Sequence, residues 1–213
     1  LGFYNIIENV KKYKIKRLFY ASSSSVYGEN TNFPLNEKQK IHPKNIYALS
    51  KKINEEISSI FNKYYQIKMT GLRFFTVYGD WGRPDMMMVK FIDSYYKKKS
   101  FKLFNFGKHV RDFTYVEDVV DILYLLLKAH KKLPNNDIFN ICSNDPINLE
   151  KIIEFMNKNG INPKVKKVTL QKADILKTHG NNKKILKYVR FNKFTNWKEA
   201  LKKTITWYQQ NMI

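Results

Sequence analysis

Two stretches of the chain carry reactive residue types at useful spacings. YALSK, 47–51, puts Tyr47 and Lys51 four positions apart, which on a helix is one face. A phenol has an ordinary pKa of about 10. An ammonium group about 4 Å away favours its ionised form by about 4 kcal/mol at an effective dielectric of about 20. Such a pair can act as a general base. The spacing alone is not specific, because Tyr64/Lys68, Tyr95/Lys99 and Tyr124/Lys128 share it. Context has to choose. The second stretch, YASSSSVYG (20–28), runs four serines together after an apolar segment. Serine suits neither strand nor core, so these hydroxyl and backbone groups are presented to something polar.

The elements that must position these residues follow from periodicity. Residues 1–14 are expected to form an amphipathic helix, and RLFYAS (17–22) a short buried strand entering the serine loop. Pro34 and Pro43 bracket a polar loop. A helix over 45–65 carries Ile53, Ile57, Ile60 and Phe61 near the helical period, and KMTGLRFFTVYG (68–79) is a second buried strand. Further helices are expected over 87–97, 115–130, 147–160 and 196–210, with strands at 101–106, 138–142 and KVKKVTL. Short apolar strands alternating with helices predict an α/β fold around a parallel sheet.

Composition narrows the function classes. A chain of 213 residues, 43% apolar, can bury a sizeable core in one or two domains. Cys142 is its only cysteine, so no intrachain disulfide forms, and a reducing, cytoplasmic setting is the simpler reading. The most apolar run, VVDILYLLL, is interrupted by Asp121 and is far shorter than a membrane span. The net charge of +21 invites a nucleic-acid partner, but the lysines are scattered through KKYKIK, YKKKS and VKKV. No recognition-helix, zinc-finger or RNP-like pattern accompanies them. The abundance of Lys, Asn, Ile, Phe and Tyr fits AT-rich coding DNA. His42, His109, His130 and His179 show no metal-binding spacing, so no metal site is expected.

The order of the motifs selects one Tyr-Lys pair. A buried strand ends in YASSSSVYG, a helix about 20 residues on carries YALSK, GLRFFTVYGDWGRPDM ends a second strand, and GKHVRDFTYVEDVVD follows. Over nearly its whole length the chain resembles the extended short-chain dehydrogenase/reductase family of nucleotide-sugar epimerases and dehydratases. Its nearest likeness is to the UDP-glucuronate 4-epimerase branch. The resemblance implies NAD as cofactor, a UDP-sugar as substrate and Tyr47 as the catalytic base. Lys51 would bind the nicotinamide ribose and lower the tyrosine pKa, and Ser23 would hydrogen-bond the sugar C4 oxygen. Ser22, Phe74 and Phe75 would lie beside the cofactor. Ser24, Ser25, Thr76 and Arg83 would surround the sugar, Arg83 reading a carboxylate with its planar fork. Arg111 would bind the diphosphate, Leu103 and Phe104 the uracil, and Gln171 and Asp174 would stand near the nucleotide. An ion pair with Asp85 is the competing role for Arg83, and core packing the competing role for one of the phenylalanines and for Met86–Met88.

The same resemblance implies a Rossmann-like parallel-sheet domain over 1–78, with 111–143 returning to its sheet, and a small α/β substrate lobe over 79–213. The Gly-rich loop that seats the NAD pyrophosphate is not among these residues. With Leu1 already inside a helical pattern, the chain reads as the C-terminal part of a longer protein, inactive alone. The helices at 1–14 and 45–65 resemble a pair that forms a homodimer in this family. UDP-glucose or UDP-N-acetylglucosamine 4-epimerase, then a dehydratase or decarboxylase, are the alternative activities, and a basic nucleic-acid-binding module is the non-enzyme alternative. The dehydratases place Asp-Glu directly after the catalytic hydroxyl residue. Here those positions are Ser24 and Ser25, which cannot do that acid–base work.

Overall fold

The computed structural model describes residues 2–170 and 174–212. The chain opens with α1 (Gly2–Lys12) and β1 (Arg17–Ser23), which runs into a short 3-10 turn, and continues into α2 (Ile46–Tyr65) and β2 (Lys68–Phe74). Then come β3 (Thr76–Tyr78), α3 (Met87–Tyr96), β4 (Phe101–Phe104), β5 (Val110–Tyr115) and α4 (Val116–Lys128). The last part holds β6 (Asn136–Ile141), β7 (Pro146–Asn148), α5 (Leu149–Lys158), β8 (Val165–Val168), α6 (Lys183–Leu186) and α7 (Trp197–Asn211). No helix among the described residues is long and apolar enough to cross a membrane.

The strands make a parallel three-stranded sheet in the order β1-β2-β6, a second sheet β3-β5-β7, and a parallel pair β4-β8. Alternation along β2 sends its side chains to opposite faces. Met69 joins Ile7 and Val10 of α1 and Phe61 of α2 on one face. Leu72 joins Val119, Ile122 and Leu126 of α4 on the other. A sheet covered on both faces explains why its strands are near-continuous apolar runs. A separate core gathers α3, α5 and α7 around β3, β4 and β5.

The sequence predicts one strand over 68–79, and the structure divides it. β2 ends at Phe74, while β3 leaves the first sheet to pair with β5. Phe75, between them, turns into a core of Val26, Tyr27, Leu35 and Cys142. The chain thereby crosses from one sheet to the other at the serine loop's level. β5 and β7 are short, partly polar strands with no clear alternation in the sequence, so periodicity misses them. The helix expected from 147 begins at Leu149, because Pro146–Asn148 pairs with β5 and the Asn148 side chain caps the helix.

Candidate active site

Local rules place the reactive residues. The Asn45 side chain accepts from the Ala48 amide, starting α2 one residue before Tyr47, and Gln66 ends it in the left-handed region. Tyr47 therefore stands in the first turn of a 20-residue helix, with Lys51 one turn further along the same face. At the end of β1, Ser23 caps the 3-10 turn Ser24–Tyr27, its Oγ accepting from the Ser25 amide at 3.2 Å. Gly28 closes the turn at φ +64°, where an added Cβ would lie 1.9 Å from the His42 carbonyl oxygen.

These pieces meet in one cleft of about 500 Å³, lined by Ser22–Ser25, Tyr47, Lys51, the 74–82 segment, Arg83 and Met86. Tyr47 is half exposed. Lys51 Nζ donates to the Ala21 carbonyl oxygen at 3.0 Å and lies 5.7 Å from the Tyr47 ring centre. One hydrogen bond leaves the ammonium with donors to spare. None of the rival Tyr-Lys pairs lines this cleft. Tyr124 and Lys128 make a surface cation–π contact on α4, and Lys68 and Lys99 lie beyond the helices that carry their tyrosines.

The neighbouring residues sort by burial. The Ser22 hydroxyl is turned away from the cleft: it donates to Glu55 Oε1 at 2.5 Å and the residue is 2% exposed. Only its main chain is left to face the cleft. Phe75 is core and Phe74 is half-buried on the cleft wall. The Arg83 side chain is well exposed and grips Asp85 through two hydrogen bonds. Exposed pairs of this kind hold at most about 1 kcal/mol, so a ligand carboxylate can replace Asp85.

A second cavity of about 310 Å³ shares the wall of Thr76–Gly79, Gly82 and Met86 with the first. It brings together Leu103, Phe104, Arg111 and Asp174, four residues separated by up to 71 positions. Met86–Met88 line it as well, Met88 buried in the core behind. Arg111 donates to the Val110 and Leu176 carbonyl oxygens, burial lowering its pKa and Asp174 opposing that shift. Gln171 lies outside the described residues.

Two residues of this region escape sequence reasoning. His109, just before β5, is buried and lines the same cavity as Arg111, with Nε2 3.7 Å from Asp174 Oδ2 and no hydrogen-bond partner among the described residues. Burial lowers its pKa, Arg111 lowers it further and Asp174 partly restores it. Its alternation with Arg111 is the signal that would have found it. Asp112 is wholly buried and accepts from the amides of Ser143, Asn144 and Gly180 and from the Ser143 hydroxyl. It pins the 143–144 turn and the 178–180 segment behind Arg111. No cluster of His, Cys, Asp and Glu among the described residues could hold a metal ion.

The profile of the NAD dependent epimerase/dehydratase family matches residues 1–142. An uncharacterized protein of Methanocaldococcus jannaschii is 38% identical over 214 residues, covering 99% of this chain and 64% of its own length. UDP-glucuronate 4-epimerase 4 of Arabidopsis thaliana is 34% identical, with 97% of this chain and 51% of that protein covered. The chain thus spans between about half and two thirds of these relatives. Among solved structures, the UDP-glucuronic acid 4-epimerase from Bacillus cereus, in complex with UDP-glucuronic acid and NAD, superposes with a TM-score of 0.89. It is 24% identical, covering 98% of this chain and 66% of that one, a likeness that shows the fold.

Proposed function

The chain belongs to the NAD dependent epimerase/dehydratase family, and from that premise we propose that it carries the catalytic and sugar-binding residues of a UDP-sugar 4-epimerase acting on UDP-glucuronate. The observation that carries this reading is the pair of joined cavities. Tyr47, Lys51 and Ser23 line one, Arg111, Leu103 and Phe104 line the other, and Thr76 borders both.

The residues present fit the nicotinamide end of NAD: an ammonium with free donors, a half-exposed phenol and an apolar wall at Phe74. When bound, NAD supplies a reversible hydride acceptor for the sugar C4. Around it, Tyr47 Oη takes the proton from the C4 hydroxyl and later returns one, and Lys51 holds the ribose. Ser23 Oγ orients the C4 oxygen. The 4-keto sugar turns over in the cleft, so the group is reduced from its other face.

With a uronic acid the intermediate is a β-keto acid, prone to lose carbon dioxide. Ser24, Ser25, Thr76 and Arg83 are suited to hold the carboxylate so that its breaking bond does not align with the carbonyl. The diphosphate would sit on Arg111 and the uracil along Leu103 and Phe104. In this assignment residues 1–78, with 111–143, form the nucleotide-binding part and 79–213 mainly the substrate lobe. The 213 residues alone, without a Gly-rich pyrophosphate loop among them, are expected to be inactive. A homodimer through α1 and α2 is part of the proposal, since Leu49, Ile53 and Ile60 form one exposed stripe on α2. The proposal places the protein in the cytoplasm.

The test is product analysis with the complete protein, NAD and each UDP-sugar. UDP-galacturonate from UDP-glucuronate is expected. Turnover of only UDP-glucose or UDP-N-acetylglucosamine overturns the substrate, and a dehydrated or decarboxylated product overturns the reaction.

A further inference from the structure

Beneath the cleft lies a buried charge pair that the proposed reaction does not use. The Arg73 and Glu55 side chains are 4% and 5% exposed. Arg73 Nε donates to Glu55 Oε1 at 2.9 Å and Nη2 to Oε2 at 2.8 Å. The Ser22 hydroxyl donates to the same Oε1. Ser22 and Arg73 are register partners across the parallel β1–β2 pair, so one carboxylate from α2 spans a cross-strand pair. The guanidinium also lies 4.7 Å from the Tyr27 ring centre, and the Tyr27 hydroxyl donates to Asn140 on β6. All three strands of the sheet are thereby joined to α2.

The spacing along α2 gives this pair its meaning. Tyr47, Lys51 and Glu55 follow at intervals of four, one helical turn each. Lys51 binds the Ala21 carbonyl and Glu55 binds the Ser22 hydroxyl, two consecutive residues that lead into Ser23. Phe61 and Asn62 hold the C-terminal half of the helix, and two anchors a turn apart resist rolling of its N-terminal half on β1. A buried ion pair is a poor choice for stability alone, because desolvation offsets much of its Coulomb energy and apolar residues of similar volume often do better. Its geometric demands are strict, which suits a register device.

We propose that Glu55 is a positioning residue that keeps α2 in register with β1 and so sets where Tyr47 stands relative to Ser23. The inference rests on the epimerase reading of the cleft for its catalytic consequence, but the tether itself is independent of that reading.

The test uses the complete protein with Ser22→Ala, which removes the strand-side hydroxyl and leaves the ion pair intact. Glu55→Gln is the companion variant, and circular dichroism checks that it folds. Without substrate, the backbone amides of residues 47–55 should exchange several-fold faster in Ser22→Ala, about as in the wild type elsewhere. With NAD and UDP-sugar, kcat should fall about tenfold while KM stays within about twofold, because positioning of the base is lost and binding is not. Ser22→Thr, which keeps the hydroxyl, should restore both. Unchanged exchange over 47–55 overturns the tether, and faster exchange with wild-type kcat overturns the positioning role. A wild type that turns over no UDP-sugar fails the functional reading instead, and exchange alone then judges the tether.

Discussion

Arg83 and Asp85 face each other across one turn of loop, Nε to Oδ1 at 2.9 Å and Nη2 to Oδ2 at 2.6 Å. The guanidinium at the mouth of the cleft is thus held by a carboxylate in the same two-pronged geometry that a uronic acid would offer. Under the proposed function, Asp85 competes with the substrate carboxylate for Arg83.

Competition of this kind is measurable. Asp85→Asn should lower KM for UDP-glucuronate severalfold and leave that for UDP-glucose unchanged, while Arg83→Ala should raise the former at least about tenfold, roughly 1.4 kcal/mol. Steady-state kinetics on both sugars check this. Equal effects on the two would remove Arg83 from carboxylate recognition.

Tyr47→Phe removes only the proton acceptor. In the complete protein it should cut kcat by about a thousandfold or more, within the reach of general base catalysis plus its lost alignment, with UDP binding retained by calorimetry. Turnover within about tenfold of wild type would transfer the base role to another group.

Asp112 sets a stability dependence on pH. Burial pushes its pKa up to about 6 in spite of the hydrogen bonds it accepts from Gly180, Ser143 and Asn144. In the unfolded chain it ionises at about 3.9. A carboxylate raised on folding contributes most below the unfolded value, and that contribution is lost as pH rises through about 6. Asp112→Asn does not titrate and loses acceptors at every pH. The Tm gap between wild type and variant should therefore narrow from about pH 4 to about pH 7. A gap of constant size across this range would refute the assigned shift.

The exposed stripe on α2 predicts association. Ile53→Glu and Ile60→Glu should convert the complete protein from dimer to monomer at micromolar concentration without loss of helicity. Sedimentation velocity reads the outcome. A wild type that is already monomeric there disproves the interface.

Whatever depends on neighbours along the chain could be read from residue order. The helix carrying Tyr47 and Lys51 was legible from its period and the serine turn from its composition, and motif order pointed to Tyr47 and Lys51, the pair of the four that lines the cleft. The parallel α/β class followed from strand and helix alternation, and Leu103, Phe104, Arg111 and Asp174 do share a cavity beside the cleft. The rest depends on strand register between distant segments, which packing sets. The Arg73–Glu55 pair exists because β1 and β2 align Ser22 with Arg73 beneath a turn of α2. The break at Phe75 has no local signal, since it comes from two sheets competing for one strand. The burial of Asp112 needs Gly180, 68 residues away, to bring its amide to the carboxylate. Periodicity reports which face a residue takes, and only packing reports what waits on that face.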